Sequence, residues 1–278
     1  MSIYLNTIHK DLVTLAQKYA PKYKTNTPFP NIYFKNFFDP NYLEEVLEEF
    51  PDLSQKKSER YNDQFQLKLA GKGERFFGEQ TKSLMHFLNS QPFLEFLQIL
   101  TGIERPIISD PYFLGGGQHE IKKGGMLKIH ADFNKHHQLD LDRRLNVLVY
   151  LNKDWEEGYG GYFELWNKEM THCVKKIPPT FNTVAIFSTT DFSYHGHPDP
   201  LNCPPDRSRK SLALYYYTNG RPDQEVIKNQ KRHSTLFVSR AGDETDVFKQ
   251  TNNYGVIDLI RDLTPPVLVK LGKKVLNK

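Results

Sequence analysis

The chain of 278 residues has only two cysteines, Cys173 and Cys203, and neither has the spacing of a metal ligand. A disulfide framework needs more cysteines than this, so we expect reduced thiols and a cytoplasmic protein. The chain also lacks any apolar run close to the ~20 residues that span a membrane. Its first ten residues include Asn6, His9 and Lys10, so they lack the apolar stretch of a signal peptide.

A strong excess of charge of one sign is also missing. The 37 Lys and Arg residues nearly balance the 33 Asp and Glu residues, which gives a formal net charge of +4. Proteins that bind nucleic acid usually carry a larger positive excess, so we expect neither nucleic acid nor a membrane as a partner. The chain has no internal repeat or low-complexity run. Its 38% hydrophobic residues, with 13% aromatics, can form a sizeable core.

Three residues that could converge on one metal are the most informative feature that is present. His130 and Asp132 form a His-x-Asp pair, and His195 follows 65 residues later. The apolar residues that precede this pair predict a strand, in which side chains two positions apart share a face. Two imidazoles and one carboxylate leave the other positions of a metal open. This is the ligand set of non-haem Fe(II) oxygenases.

A basic residue, Arg209, follows 14 residues after His195. Residues 181–187 and 211–218 are rich in β-branched and aromatic side chains, and they predict buried strands. A proline-rich turn separates His195 from Arg209, and we expect an antiparallel pair of strands to bring both side chains to one mouth. A guanidinium can bind both oxygens of a carboxylate, so Arg209 would suit an anionic co-substrate.

These motifs resemble the Fe(II)- and 2-oxoglutarate-dependent dioxygenases of the prolyl 4-hydroxylase branch. The resemblance covers about residues 108–218, and it includes Ser193-Tyr194-His195, Arg209-x-Ser211, Tyr150-Leu151-Asn152-Lys153-Asp154-Trp155 and Gly160-Gly161-Tyr162-Phe163. It implies a mainly β fold with flanking helices, built on a double-stranded β-helix (jelly-roll, cupin-like) core. The metal would lie in the mouth between the two sheets.

The resemblance also implies roles for individual residues. His130, Asp132 and His195 would be the iron ligands and the catalytic set. Arg209 and Tyr150 would bind the distal carboxylate of 2-oxoglutarate, and Phe163 would pack on the co-substrate chain. Leu127 stands where family members often have a tyrosine, which removes one polar contact. The candidate pocket residues are Leu127, Asn146 and Ser211, the last two because they share strand parity with Tyr150 and Arg209.

Two of these roles have a competing residue. His197 has the same strand parity as His195, so alternation alone does not separate them. We expect His195 to be the ligand because Ser-aromatic-His matches the family and because Pro198 follows His197. Arg207 competes with Arg209 for the carboxylate. We expect Arg209, because Arg-x-Ser leads directly into the last apolar strand.

The implied reaction is hydroxylation of a C–H bond of a prolyl residue, an amino acid or a small metabolite. It would consume O2 and 2-oxoglutarate at Fe(II) and release succinate and CO2, with ascorbate as a candidate reductant. The charges of Fe(II), Asp132, 2-oxoglutarate and Arg209 sum to zero, which suits a poorly hydrated pocket. Two other classes stay open: a jelly-roll binding module without catalysis, and a metal-dependent hydrolase such as a zinc enzyme.

We predict three parts along the chain: an N-terminal support region of helices and a strand at 1–105, the dioxygenase jelly-roll core at 106–220, and a C-terminal extension at 221–278. The elements predicted outside the core are a helix within 3–20 that ends before Pro21, a strand at Ile32-Tyr33-Phe34, a helix from Asp39-Pro40 to Phe50, a polar loop at 52–74, two helices within 79–101 broken near Pro92, and a helix near Tyr254 to Asp262 followed by a basic tail. Three further histidines are expected to have no catalytic role: His136 and His137 as solvated loop residues, and His233 as a capping or packing residue.

Overall fold

The computed structural model describes residues 4–55, 58–226, 232–241 and 243. The predicted helix near Tyr254 and the basic tail lie outside these residues. None of the described helices is long and apolar enough to cross a membrane. Both cysteines are free thiols, Cys173 half-buried and Cys203 buried.

Four α-helices and twelve β-strands make up the described part of the chain, besides short 3-10 turns. The helices are α1 (Leu12–Thr25), α2 (Pro40–Glu48), α3 (Glu79–Leu88) and α4 (Gln91–Thr101). The strands are β1 (Asn31–Lys35), β2 (Glu59–Asn62), β3 (Leu67–Gly71), β4 (Gly117–Lys122), β5 (Leu127–Ala131), β6 (Asp142–Tyr150), β7 (Phe163–Trp166), β8 (Cys173–Ile177), β9 (Thr183–Ser188), β10 (His195–His197), β11 (Ser208–Thr218) and β12 (Leu236–Phe237).

The strands form two antiparallel sheets. The major sheet has seven strands in the order β1-β9-β6-β11-β4-β3-β2, and the minor sheet has five in the order β12-β5-β10-β7-β8. Side chains of the two sheets pack together in one apolar cluster, to which Phe163 and Leu165 come from the minor sheet and Tyr150 and Phe187 from the major sheet. The predicted mainly β, jelly-roll fold with flanking helices is confirmed.

Alternation along β6 shows how the major sheet serves two layers. Val147 and Val149 belong to the large core that the sheet shares with the helices. Asn146, Leu148 and Tyr150 point the opposite way, towards the minor sheet. Strand β6 is buried on both faces. One face carries apolar side chains into the core under the helices, and the other face also carries polar side chains into the space between the two sheets. The major sheet therefore lies between the apolar core under the helices and the space between the two sheets.

Helix α1 differs from the prediction, which ended it before Pro21. The helix begins after Asp11, whose side chain accepts a hydrogen bond from the Thr14 N–H at 2.7 Å, and it continues through Pro21 to Thr25. The last turn is held by Tyr23, which is 1% exposed and whose hydroxyl lies 2.8 Å from Ser188 Oγ. Tertiary packing therefore outweighs the one backbone hydrogen bond that the proline removes.

The predicted loop at 52–74 is also wrong, because this segment contains the β2–β3 hairpin (residues 59–71). Strand β3 pairs with β4, so the hairpin extends the major sheet. Its polar composition comes from an edge position, since β2 is mostly exposed to solvent. Together with β1, which pairs with β9, the hairpin shows that the region 1–105 contributes strands to the major sheet. The three-part division of the chain stays a prediction.

His195 and Arg209 lie in different sheets, so the predicted direct pairing of their strands is wrong. Strand β10 pairs with β5 and β7 in the minor sheet, whereas β11 pairs with β4 and β6 in the major sheet. The connection from residue 198 to 207 crosses from one sheet to the other. The two side chains therefore approach each other across the interior of the jelly roll.

Asn182 offers a test of how the N-terminal region is attached. Its side chain accepts a hydrogen bond from the Phe38 N–H at 2.9 Å and donates one to the Phe38 carbonyl at 2.8 Å, with a backbone φ of +60°. We expect Asn182→Ala to lower the free energy of unfolding in urea by about 2–4 kcal/mol, because two buried backbone groups lose their partners.

Asn182→Gly separates the two contributions to this change. Glycine tolerates the left-handed backbone but makes neither hydrogen bond, so it should be about 1 kcal/mol less destabilising than alanine. The exposed Asn202→Ala is the control and should change stability by less than about 0.5 kcal/mol. A loss at Asn182 no larger than this control would contradict the attachment.

Candidate active site

The structure brings His130, Asp132 and His195 together at one point. One ligand atom from each lies within 4.8 Å of the other two. His130 on β5 and His195 on β10 are directly paired across the minor sheet, and Asp132 follows immediately after β5. Asp132 Oδ1 lies 3.7 Å from Nε2 of His130, and Asp132 Oδ2 lies 3.3 Å from Nε2 of His195. These are the three residues that the sequence predicts as metal ligands.

Both imidazoles are oriented by the same kind of backbone contact. Nδ1 of His130 lies 2.8 Å from the Lys128 carbonyl, and Nδ1 of His195 lies 2.8 Å from the Ser193 carbonyl. A carbonyl oxygen only accepts, so each Nδ1 carries the proton and donates it. Each Nε2 is then left with a free lone pair that faces Asp132. This is the tautomer that binds a metal.

The Asp132 carboxylate is held by two residues of β6. Asn146 Nδ2 donates a hydrogen bond to Asp132 Oδ2 at 2.7 Å, and Arg143 Nη2 lies 3.1 Å from the same oxygen. Arg143 also donates from Nε and Nη2 to the side-chain oxygen Oδ1 of Asn146. Its guanidinium lies between the rings of Phe133 and Tyr215, 4.3 and 3.5 Å from their centroids. The carboxylate is therefore fixed in one orientation.

The electrostatic surroundings set the protonation states that a metal requires. Burial alone would raise the pKa of Asp132, but the charge of Arg143 outweighs it, and the pKa lies well below its usual range. Burial, with the neighbouring His195, lowers the pKa of His130. A charged carboxylate beside a neutral imidazole is what a divalent cation binds, because ligation needs both groups deprotonated.

Arg209 is a buried cation on the major sheet. It is 5% exposed, its Nε donates to the Gly161 carbonyl at 2.8 Å, and its Nη2 donates to the Tyr150 hydroxyl at 3.3 Å. Among the described residues, no carboxylate forms an ion pair with this guanidinium. A buried cation without a counter-ion is unfavourable, so the site favours an anionic ligand.

The Gly160-Gly161 turn is needed for this arrangement. Gly161 has a φ of +71°, and a Cβ atom there would lie 2.6 Å from Leu201 Cδ2 and 3.0 Å from Arg209 Cδ. The missing side chain therefore lets the loop approach the guanidinium closely enough for its carbonyl to accept a hydrogen bond. Phe163 follows the turn and packs against His195, with ring centroids 5.5 Å apart.

The metal cluster and Arg209 face one cavity of about 80 Å³, which we call the inner cavity. The candidate pocket residues Leu127, Asn146 and Ser211 line it, and so does Phe163. Tyr150 reaches it through its hydrogen bond to Arg209. Apolar side chains cover much of the wall, including Leu148, Phe163 and Phe187. The inner cavity thus combines an apolar wall with a few placed polar groups, as small-ligand sites do.

The two competing residues, His197 and Arg207, differ in position. His197 lines the inner cavity but is not part of the metal cluster. Arg207 is half-buried, and it donates to the Lys153 carbonyl outside the inner cavity. His233, expected as a capping or packing residue, forms a buried hydrogen bond between Nε2 and Asp191 Oδ1 at 2.8 Å.

His136 differs from the expectation of a solvated loop residue. It is 1% exposed, and its Nδ1 accepts from the N–H groups of Gln138 and Leu139. Its neighbour His137 is exposed, as expected for a solvated loop residue. The ring of His136 therefore organises the turn after β5, which is a structural role that composition alone does not reveal.

Three residues that line the cavities were not predicted from the sequence, namely Arg143, Lys68 and His119. Arg143 lies in a run of charged residues that gives no sign of burial, and Lys68 lies on the hairpin that was predicted as a loop. Lys68 lines the inner cavity, and burial lowers its pKa to about 8. Arg143 and Lys68 add positive charge near the metal cluster, so the zero charge sum predicted from the sequence is incomplete.

A second cavity of about 330 Å³, the outer cavity, adjoins the metal cluster. The two cavities share five wall residues, Lys68, Leu127, His130, Asp132 and Tyr215. The outer cavity is also lined by basic and aromatic side chains, namely Lys72, Arg143, Tyr61, Phe133 and Tyr215, and by Ser234 and Thr235 of the segment before β12. Ligands in both cavities would therefore approach the same metal cluster from two sides.

A substitution of Asn146 tests whether the contacts that hold the Asp132 carboxylate support metal binding. We expect Asn146→Ala to weaken Mn(II) binding by about tenfold, because outer contacts of this kind orient a ligand at a metal. Equilibrium titration followed by the electron paramagnetic resonance of free Mn(II) measures this. Asn219→Ala, on an exposed turn, is the control and should keep the wild-type affinity. Equal Mn(II) affinities in both variants would show that Asn146 does not support metal binding.

Comparisons with known proteins agree with this geometry. Residues 117–217 match the family model described as the 2OG-Fe(II) oxygenase superfamily. A search of curated proteins found no match.

Solved structures with similar folds include a prolyl-4-hydroxylase from Pseudomonas putida, which is 15% identical with a TM-score of 0.53 over 74% of this chain and 100% of that one. A prolyl hydroxylase from Trichoplax adhaerens, in complex with a hypoxia inducible factor oxygen degradation domain peptide fragment, is 20% identical with a TM-score of 0.54 over 74% and 90%. HygX from Streptomyces hygroscopicus, with nickel and 2-oxoglutarate bound, is 12% identical with a TM-score of 0.50 over 84% and 98%. Residues 117–217 therefore match the 2OG-Fe(II) oxygenase superfamily model, and the fold of the chain is similar to that of these prolyl hydroxylases.

Proposed function

We propose that this protein is a 2OG-Fe(II) oxygenase that hydroxylates a C–H bond of a prolyl residue, an amino acid or a small metabolite, and that it releases succinate and CO2. One observation carries the proposal. The cluster of His130, Asp132 and His195 shares a cavity with Arg209, a buried guanidinium that has no carboxylate partner among the described residues. A divalent metal and a dicarboxylate together would satisfy both features.

The donor set fits ferrous iron. Two imidazole Nε2 atoms and one carboxylate, all deprotonated and facing one point, match the ligands of non-haem Fe(II) oxygenases, and they leave the remaining metal positions open. The chemistry that Fe(II) supplies in such a site is O2 activation coupled to decarboxylation of 2-oxoglutarate. For each substrate C–H bond converted to C–OH, one O2 and one 2-oxoglutarate are consumed, and one succinate and one CO2 are formed.

In this proposal the protein positions the reactants and excludes water. Arg209 and the Tyr150 hydroxyl bind the distal carboxylate of 2-oxoglutarate, as a guanidinium does through paired hydrogen bonds. Phe163 and Leu148 pack along the carbon chain and keep the inner cavity poorly hydrated. Arg143 holds the Asp132 carboxylate in place. We also propose ascorbate as the reductant that sustains turnover.

The two alternative classes account for fewer observations. A zinc hydrolase would use the same three ligands, but it has no need of a buried guanidinium at the far side of the cavity. A binding module without catalysis has no need of two imidazoles that present the metal-binding tautomer. The dioxygenase proposal uses both features.

The outer cavity favours a substrate that carries an acidic group near the reacting carbon. Arg143 is 1% exposed, and its Nη1 has no hydrogen-bond partner among the described residues. Lys72 forms an ion pair with Glu59, but Lys68 has no acidic ion-pair partner among the residues that the structure describes. With iron and 2-oxoglutarate bound, these cations leave a positive charge that an anionic substrate would balance.

The most direct test of the function is the anaerobic addition of Fe(II) and 2-oxoglutarate to the purified protein. We expect a visible charge-transfer band, because the 2-oxo acid would chelate the ferrous ion held by the three ligands. Asp132→Ala should give no band, since one of the three ligands is lost. A wild-type protein without the band, with metal bound, would favour the hydrolase class or the binding module.

The charge preference can be tested with three blocked peptides, Gly-Glu-Pro-Glu-Gly, Gly-Gln-Pro-Gln-Gly and Gly-Lys-Pro-Lys-Gly. We expect the Glu peptide to stimulate succinate formation most, about two- to fivefold over the Gln peptide, and to gain the mass of one oxygen. Lys68→Gln should reduce this preference. A preference for the Lys peptide would contradict the acidic substrate, and stimulation by none would rule against prolyl peptides as substrates.

A further inference from the structure

The C-terminal segment supplies the outer neighbour of the metal-ligand strand β5 in the minor sheet. Strand β12 pairs antiparallel with β5 and places Phe237 directly opposite His130, and the Val238 N–H donates to the Ile129 carbonyl at 2.9 Å. On the other side of β5, His130 is directly opposite His195. Directly paired residues of neighbouring strands point to the same face of a sheet. Phe237, His130 and His195 therefore form one row on the interior face.

The ring of Phe237 covers the outer side of the His130 imidazole. The centroids of these two rings are 5.5 Å apart, and on the inner side the ring of His195 lies 4.5 Å from that of His130. Phe237 is 7% exposed and His130 is 4% exposed. Without β12, strand β5 would be the edge strand, and the imidazole would lose one of the two rings between which it lies. Phe237 therefore adds a packing contact to the hydrogen bond from His130 Nδ1 to the Lys128 carbonyl.

The β2–β3 hairpin covers the rest of the same edge of β5. The Lys128 N–H donates to the Phe65 carbonyl at 2.8 Å, and the Leu67 N–H donates to the Met126 carbonyl at 2.9 Å. The ring of Phe65 is stacked on that of Phe237, with centroids 4.6 Å apart and an interplanar angle of 16°. The hairpin and β12 therefore cover consecutive parts of one strand edge, and this ring pair joins them.

Polar contacts hold the segment that carries Phe237 against the loop after β5. The His233 N–H donates to the side-chain oxygen of Asn134 at 3.0 Å, and Arg232 Nη2 donates to the His136 carbonyl at 2.9 Å. Asn134 and His136 both lie in the loop that follows the metal-ligand strand. The segment is thus attached on both sides of the metal cluster, through this loop and through the pairing with β5.

We propose that Phe237 is a positioning residue of the metal site: its ring, backed by Phe65, holds the His130 imidazole in the orientation that ligates a metal. The inference rests on the proposed function, because it assigns a divalent metal to the cluster. An imidazole that turns freely presents Nε2 to the metal for only part of the time, so the metal affinity falls. The proposal makes two segments outside residues 117–217 part of the metal site.

Titration of the full chain with Mn(II), followed by the electron paramagnetic resonance of free Mn(II), tests this without turnover. We expect Phe237→Ala to raise the Mn(II) Kd about tenfold, because a group that orients a ligand is lost. Phe237→Leu should raise the Kd about threefold, since the smaller apolar side chain keeps part of the contact.

Phe77→Ala is the matched control. Phe77 is 8% exposed, belongs to the apolar core under the helices, and contacts the ring of Phe113. The loss of this ring should lower the unfolding temperature, because it leaves a cavity, but it should keep the wild-type Kd for Mn(II).

The visible spectrum of the Co(II)-loaded protein separates positioning from a general loss of stability. The absorption bands of Co(II) depend on the geometry of its ligands. At saturating Co(II), Phe237→Ala should therefore change the position or the intensity of these bands, whereas Phe77→Ala should keep the wild-type spectrum. Phe65→Ala should have a smaller effect than Phe237→Ala, because Phe65 contacts Phe237 and leaves its ring beside His130.

The outcomes distinguish this inference from the function beneath it. A wild-type protein that binds no Mn(II) would overturn the proposed function itself. Mn(II) binding by the wild type with an unchanged Kd in Phe237→Ala would overturn only the role of Phe237. Equal losses of affinity in Phe237→Ala and Phe77→Ala would also overturn it, because they would follow from lower stability alone. If Phe237→Ala does not fold, Phe237→Leu decides, and a wild-type Kd in that variant would overturn the role.

Discussion

The site depends on one register, the direct pairing of His130 on β5 with His195 on β10. The pairing places two imidazole rings 4.5 Å apart. A shift of one residue in either strand would turn one histidine to the opposite face of the sheet. The backbone carbonyls of Lys128 and Ser193 then select the tautomer. Strand geometry therefore determines both the position and the chemistry of the two imidazoles before any metal binds.

The major sheet supplies the charges that this pair lacks. Asp132 follows β5, but the groups that hold its carboxylate, Asn146 and Arg143, come from β6. Arg209 comes from β11. Arg143 and Arg209 are both buried, and the contacts of each leave part of its guanidinium open to a ligand. The gap between the sheets is thus a poorly hydrated space with charged groups at defined places, as catalysis by positioning requires.

Much of the site could be predicted because its motifs are local. Strand alternation relates His130 to Asp132, and the Gly160-Gly161 turn and Arg209 have spacings that sequence alone displays. The position of β11 in the other sheet could not be predicted, since strand patterns carry no record of their partners. For the same reason, the sequence does not predict that His119 lines the inner cavity, because this position follows from the pairing of β4 with β11.

The errors in the fold have physical causes of two kinds. Pro21 argues against a helix locally, but the buried Tyr23 holds the next turn in place. The β2–β3 hairpin is polar because it lies at an edge, so composition alone predicts a loop there. Both cases show tertiary context overriding local propensity.

The central claim is that one metal and one dicarboxylate share the inner cavity. A crystal structure of the Mn(II) and 2-oxoglutarate complex tests it most directly. The account predicts Mn(II) bound to Nε2 of both His130 and His195 and to an Asp132 oxygen, with the distal carboxylate of 2-oxoglutarate on Arg209. Metal held by other side chains, or a distal carboxylate that makes no contact with Arg209, would contradict it.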